Sequence, residues 1–244
     1  MAPLKRVALL FAMEQEAAPT IARLGLMPKG LLEPPLPALA FEGTRGSLTV
    51  DVVVNGKDAR FAVANVGTVP AALTTHAACV ALKPDLLISA GTAGGFKARG
   101  GAIGDVYVST ESVNHDRRIS IPGFDRYGDY LTPTHDASAL AAALGFKAGV
   151  VSSGNSLECA SVDLEHLIRL GASAKEMEAG GVAYAAGLHG VPLICLKAVT
   201  DIVDGDKPTA DEFVQNLHTA AKAIEDAAVA VLDYLDGKEL TTPL

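Results

Sequence analysis

Two carboxylates carry the clearest chemical signal in this chain. Glu178 lies in Lys175-Glu176-Met177-Glu178-Ala179-Gly180-Gly181, just ahead of a small-residue run that reads as a helix. Asp201 closes the apolar run Val191-Pro192-Leu193-Ile194-Cys195-Leu196-Lys197-Ala198-Val199-Thr200. A run this apolar reads as a buried strand, and an acid at its carboxyl end sits where open α/β sheets build their sites. Asp201 is therefore a candidate general acid, although it also reads as a loop residue turning with Asp204, Gly205 and Asp206. Glu178 can accept two hydroxyl hydrogen bonds at once, as a sugar diol offers. Taken alone, it reads as a helix-start acid stabilised by the macrodipole. Two acids delivered to one crevice suggest acid–base chemistry on a small polar molecule.

Other candidates are weaker singly. Met13-Glu14-Gln15-Glu16 follows the apolar run from Arg6 to Ala12. One of its acids can point into the crevice as a base, or simply complement the first turn of a helix. Gly91-Thr92-Ala93-Gly94-Gly95 reads as a loop after a strand, where backbone amides can approach a ligand, or as a tight turn. It matches neither GxGxxG nor the Walker A pattern. The histidines at 76, 115, 135, 166, 189 and 218 show no metal-ligand spacing, and His115 is a candidate loop contact. Ser152-Ser153-Gly154 is no nucleophile elbow. No metal or cofactor is expected.

These groups need a scaffold, and the rest of the chain describes one. The 244 residues are 49% hydrophobic and only 5% aromatic, without Trp, so small and branched aliphatic side chains must fill the core. A formal charge of −8 argues against binding nucleic acid or an anionic membrane surface. Cys79, Cys159 and Cys195 lie far apart and suggest reduced thiols in a cytoplasmic protein. Met1-Ala2-Pro3-Leu4-Lys5-Arg6 precedes an apolar run too short for a membrane span, and no small-residue cleavage site follows it.

Strand and helix patterns alternate. Strands are expected at 6–12, 48–54, 61–65, 85–90, 104–110, 147–152 and 192–199. Helices are expected at 16–24, 69–82, 138–144, 162–170, 179–188 and 209–235, the last opened by a Thr209-to-Glu212 capping box. Residues 31–37, with three prolines, read as a loop, and 112–130 as a long irregular polar segment. The expectation is one α/β domain over 1–244, with a central mixed twisted sheet flanked by helices on both faces.

In order along the chain stand Ala12-Met13-Glu14-Gln15-Glu16, Gly91-Thr92-Ala93-Gly94-Gly95, Ser153-Gly154-Asn155-Ser156-Leu157, Glu176-Met177-Glu178 and Val199-Thr200-Asp201. As a set they resemble the methylthioadenosine/S-adenosylhomocysteine nucleosidases of the nucleoside phosphorylase superfamily, and the plant-type methylthioadenosine nucleosidases in particular. The resemblance runs from about Val7 to Leu235. It implies a hydrolase of the N-glycosidic bond of 5′-thio-substituted adenosines, acting in methionine salvage. By that resemblance Asp201 protonates the purine at N7 and Glu16 activates the attacking water. Glu178 grips the ribose hydroxyls with Met177 packed beside the sugar, and the backbone at Leu157 and Glu158 reads the adenine edge. Thr92, Ala93 and Gly94 lie along the nucleoside, and Met13 and Thr200 fall in the same binding motifs. The resemblance also implies a homodimer in which Phe124 and Tyr127, in the 112–130 segment, cover the 5′-thio end of a partner's ligand. An apolar cover would favour methylthioadenosine over S-adenosylhomocysteine, whose zwitterion is costly to bury.

The chain departs from the family pattern at Asn155, where many relatives carry Asp, at Gly180-Gly181, expected to loosen a helix start, and at the charged Glu158 beside the purine edge. Two rivals stay open. A purine nucleoside phosphorylase would need a cationic phosphate site, which the Gly91–Gly95 stretch lacks. A non-catalytic nucleoside-binding protein would have little use for Glu16, Glu178 and Asp201 together.

Overall fold

The computed structural model describes residues 3–240 and 244, so the first two residues of the amino-terminal stretch and residues 241–243 lie outside the described residues. In chain order the elements are β1 (Arg6–Phe11), α1 (Glu14–Leu24), β2 (Met27–Leu31), β3 (Leu39–Arg45), β4 (Leu48–Val54), α2 (Thr68–Leu82) and β5 (Leu86–Gly95). Then come β6 (Val106–Asn114), α3 (Asp125–Gly128), β7 (Thr132–Pro133), α4 (Ser138–Leu144), β8 (Lys147–Ser153) and α5 (Ser161–Arg169). The last are β9 (Ala172–Glu176), α6 (Ala179–His189), β10 (Leu193–Ile202) and α7 (Thr209–Leu235).

All strands join one mixed sheet. Its centre is parallel, with β1 between β4 and β5 and β10 on the far side of β5. Val, Leu and Ile fill these strands because helices cover both faces and leave no solvent side to alternate with. One face buries α1, α4 and α7, and the other buries α2 and α6. Near its carboxyl end β5 also meets β9, while β10 continues through β6 and β8 to β9. The pairings β5–β10–β6–β8–β9–β5 form a closed circuit. It gathers the ends of several strands around one opening. No helix among the described residues is long and apolar enough to cross a membrane.

Several expectations are corrected. Residues 61–65 form no strand, only an isolated bridge from Lys57 to Ala64. The Asp58 carboxylate captures the Arg60 and Phe61 amides at 2.8 and 3.2 Å and turns the backbone away from a ladder. Gly91–Gly95 is no loop but the end of β5, paired with β10 on one side and, at Gly94 and Gly95, with β9 on the other. The 112–130 segment begins inside β6, which runs to Asn114. The capping box at α7 does not form: Pro208 is the N-cap, and the Glu212 carboxylate instead accepts the Ile202 amide at 3.0 Å. The glycine pair at the start of α6 tightens the fold. A Cβ on Gly180 would strike the Asn114 side chain, and one on Gly181 the Thr68 carbonyl at the start of α2.

Candidate active site

A cavity of about 230 Å³ opens where β1, β5, β9 and β10 end. Met13 and Glu16 reach it from the start of α1, and Thr92, Ala93 and Gly94 from β5. Met177 and Glu178 line it from the β9–α6 junction, Thr200 and Asp201 from β10, and Leu157 from the loop after β8. Of the predicted residues, Glu158, Phe124 and Tyr127 are not in this lining. Phe124 and Tyr127 are each 52% exposed. Val66, Lys175, Glu176 and Phe213 also line the cavity. Sequence reading missed them, because two belong to a short strand whose charges hide it and two are isolated apolar residues.

Glu16 stands at the third position of α1. Of the three polar residues opening that helix, it is the buried one, whereas Glu14 pairs with Lys57 at 2.9 Å on the surface. Glu16 Oε1 accepts the Thr92 amide at 2.8 Å and the Thr92 hydroxyl at 2.6 Å, and Oε2 accepts the Met13 amide at 3.3 Å. The residue thus serves both as a helix-start acid and as a cavity acid. Burial raises its pKa, and the Thr92 bonds partly offset that rise. Gly91, with φ of 149°, keeps the space beside it clear, since a Cβ there would lie 3.2 Å from Glu16 Oε1.

Glu178 is the N-cap residue of α6, and its Oε1 accepts the Gly67 amide at 2.8 Å. Burial, reinforced by the nearby Glu176 charge, pushes its pKa up to about 7. Glu176 does the capping: its carboxylate accepts the Glu178 amide at 3.0 Å and the Ala179 amide at 2.9 Å. It also takes the Ser153 hydroxyl and pairs with Lys197 at 2.9 Å. Burial acts to raise the Glu176 pKa, but Lys197 and Ser153 outweigh it and hold the group ionised below its usual range. For Lys197 burial is likewise outweighed, by Glu176 and Glu178, and its pKa is raised.

Asp201 sits across β5 from these acids. Its Oδ1 accepts the Thr200 hydroxyl at 2.7 Å, and burial raises its pKa, with Thr200 and Lys175 opposing. The start of α7 braces the strand that carries it, as Asn216 Nδ2 donates to the Thr200 carbonyl at 2.9 Å. The bare Gly94 makes room for it, because a Cβ there would lie 2.6 Å from Asp201 Oδ2.

Asn155 does not line the cavity. Its Oδ1 accepts the Thr68 amide at 2.9 Å, and its Nδ2 lies 3.2 Å from Asp116. An aspartate there would face Asp116 with like charge, so the amide suits this neighbourhood. His115, in the turn after β6, is buried against Gly154 of the loop after β8, its Nδ1 lies 3.0 Å from Ser152 Oγ, and burial followed by Lys175 pushes its pKa down to about 4. Among the described residues no group of three His, Cys, Asp or Glu side chains is placed to hold a metal ion.

The arrangement combines an acid that burial favours in its protonated form, a second carboxylate held by Thr92, and a third able to accept hydroxyl donors. Together these can protonate a leaving group, activate water and hold a diol on one small molecule. Residues 6–233 match the model of a protein family described as the phosphorylase superfamily. The chain is 43% identical over 241 residues to a 5′-methylthioadenosine nucleosidase of Arabidopsis thaliana, covering 98% of this chain and 90% of that protein. It is 40% identical to a 5′-methylthioadenosine/S-adenosylhomocysteine nucleosidase of the same plant, covering 98% and 95%. The solved structure of an Arabidopsis thaliana 5′-methylthioadenosine nucleosidase in apo form superposes with a TM-score of 0.95 at 43% identity, covering 98% of this chain and 99% of that one.

Proposed function

The chain belongs to the phosphorylase superfamily, and we propose that it is a hydrolase cleaving the N-glycosidic bond of 5′-methylthioadenosine to release adenine and the 5-thioribose product. The observation that carries this reading is the convergence of Glu16, Glu178 and Asp201 on one cavity. Adenine leaves poorly as an anion, so protonation at N7 by Asp201 lowers the barrier. A carboxyl group whose pKa burial raises suits that task. As the bond stretches, the sugar becomes oxocarbenium-like and nearby carboxylates stabilise it. Glu16, oriented by Thr92, takes a proton from the attacking water. Glu178 accepts the ribose hydroxyls, which displace or share its present bond to the Gly67 amide. The logic parallels that of glycosidases, with water as the nucleophile.

The phosphorylase alternative is disfavoured by the same acids, which would repel an anion. Lys197, whose charge acts on both Glu16 and Glu178, is already paired with Glu176. Adenine release from 5′-methylthioadenosine, followed with and without inorganic phosphate, tests the reading. Phosphate-independent release is expected, and strict phosphate dependence would replace the hydrolase with a phosphorylase. Tight binding without turnover would make the protein a sensor.

The assembly proposed is a homodimer of one domain over residues 1–244. Its support is the 112–130 segment, where Ile121, Phe124, Tyr127 and Tyr130 are all exposed yet apolar. A partner's cavity mouth gives these groups something to cover, and a twofold pair places both copies symmetrically. Such a cover accounts for preferring methylthioadenosine over S-adenosylhomocysteine. Three free cysteines fit a reducing, cytoplasmic setting.

A further inference from the structure

Lys175 is an unusual residue to find inside this cavity. It lies on β9, is 6% exposed, and its ammonium makes no ion pair among the described residues. Instead Nζ donates to two consecutive backbone carbonyls, those of Ser156 and Leu157, each at 2.8 Å. Those carbonyls belong to the loop between β8 and α5, which has no ladder of its own to hold it. Leu157 lines the cavity, so the side chain ties down a piece of the wall.

The sheet register places Lys175 opposite the acid. Gly94 on β5 pairs with Lys175 on β9 on one side and with Asp201 on β10 on the other. Directly paired residues share a face, and strands lie about 4.8 Å apart, so Lys175 and Asp201 flank a bare glycine roughly 10 Å apart at their Cα atoms. A flat purine over Gly94 would have the acid on one side and the lysine-held loop on the other.

We infer that Lys175 is a positioning residue for the purine, holding the Ser156–Leu157 backbone at the spacing that the base edge requires, opposite Asp201. The inference rests on the nucleosidase reading above. The chemistry follows from the carbonyl. Each carbonyl oxygen has two lone pairs, and Lys175 occupies one on Leu157. The other remains directed by the same tether and can accept from an exocyclic amine. A loop free to move would have to be ordered at each binding event, which weakens binding without touching the bond-breaking step. The lysine has a second consequence. The charged groups acting on Asp201 are Lys175 on β9, Glu212 on α7 and Glu158 in the loop. Of these only Lys175 opposes protonation. Removing it raises the Asp201 pKa, so the acid stays protonated to higher pH.

The test compares Lys175→Met, which keeps the stem and removes the donors, with Lys175→Arg, which restores them. For Lys175→Met the KM for 5′-methylthioadenosine is expected to rise about tenfold or more, roughly what loss of a buried charged hydrogen bond costs, with kcat changing far less. The alkaline limb of the kcat profile should move to higher pH. Hydrogen exchange at the Leu157 and Glu158 amides should quicken. Lys175→Arg should recover most of the KM and of the exchange protection. If Lys175→Met does not fold, Lys175→Gln, which can donate to one carbonyl, carries the same measurements. A KM within twofold of the parent, unchanged exchange at 157–158, or an unmoved alkaline limb would overturn the inference. Absence of adenine release by the parent protein would instead overturn the nucleosidase reading, leaving the exchange measurement to judge the tether separately.

Discussion

Behind the cavity wall Lys197 meets Glu176 at 2.9 Å, with side-chain exposures of 2% and 1%. On the cavity lining Lys175 meets only carbonyl oxygens. Both lysines are buried, on the two strands that flank β5, yet their acidities move in opposite directions. Burial opposes the charge of each. For Lys197 it is outweighed by Glu176 and Glu178, whereas for Lys175 burial prevails over more distant acids and lowers the pKa. Around Lys197 only Glu176 is held ionised below its usual range, while burial shifts Glu16 and Glu178 upward. Around Lys175 burial raises the Asp201 pKa, and a cation paired directly with that carboxylate would oppose the rise. One region is built from charge neutralisation, the other from burial and backbone bonds.

The sharpest way to break this contrast is at the acid itself. Asp201→Asn keeps the shape but donates no carboxylic proton, and kcat is expected to fall by about 10²–10⁴-fold. Near-normal turnover in a steady-state assay would remove Asp201 from its role. At the opposite end Lys197→Met leaves Glu176 buried and unpaired, which should cost about 3–5 kcal/mol of stability in urea unfolding. A loss below about 1 kcal/mol would show that the Ser153 and backbone bonds to Glu176 suffice alone. Glu16→Gln should retain substrate binding, read by calorimetry, while hydrolysis falls by about 10²-fold or more, because the base acts after binding. Unchanged turnover would reduce Glu16 to its helix-start role.

The smallest effect concerns Glu178, whose pKa rises from 4.5 to about 7. Hydroxyl donors need its ionised form, so ribose binding should strengthen as pH rises through 7, by roughly tenfold from pH 6 to pH 8. Measuring binding with the Asp201→Asn variant keeps turnover out of the result, and Glu178→Gln should flatten the dependence. The sign for stability is opposite. Between pH 4.5 and 7 the folded state binds more protons at this group than the unfolded chain does. Its contribution therefore falls as pH rises through that window. A pH-independent affinity would mean that Glu178 does not meet the hydroxyls as a carboxylate.

Much of the scaffold was legible because long apolar runs have few alternatives. The stretches behind β1, β4, β5 and β10 could only be buried strands, and the Ala-rich run of α2 only a helix packed closely. The hairpin of β2 and β3 was not legible. Met27–Leu31 carries Pro and Gly, all five residues are exposed, and an edge strand needs no apolar alternation. The strand β9 was hidden for the opposite reason. Its Lys175 and Glu176 are buried polar residues, and charges in a five-residue run argue against a core strand until their partners are known.

What the sequence by itself determined was the set of residue types that could do this chemistry and the strand end that would carry Asp201. Apolar periodicity and the order of motifs along the chain are local properties, and they survive without coordinates. Only the tertiary structure decided that Glu176 rather than Glu178 caps α6, and that Lys175 and Asp201 flank one glycine. Those are matters of register and burial between segments far apart in the chain. Burial sets the charge of a carboxylate or an ammonium, and no local pattern specifies it.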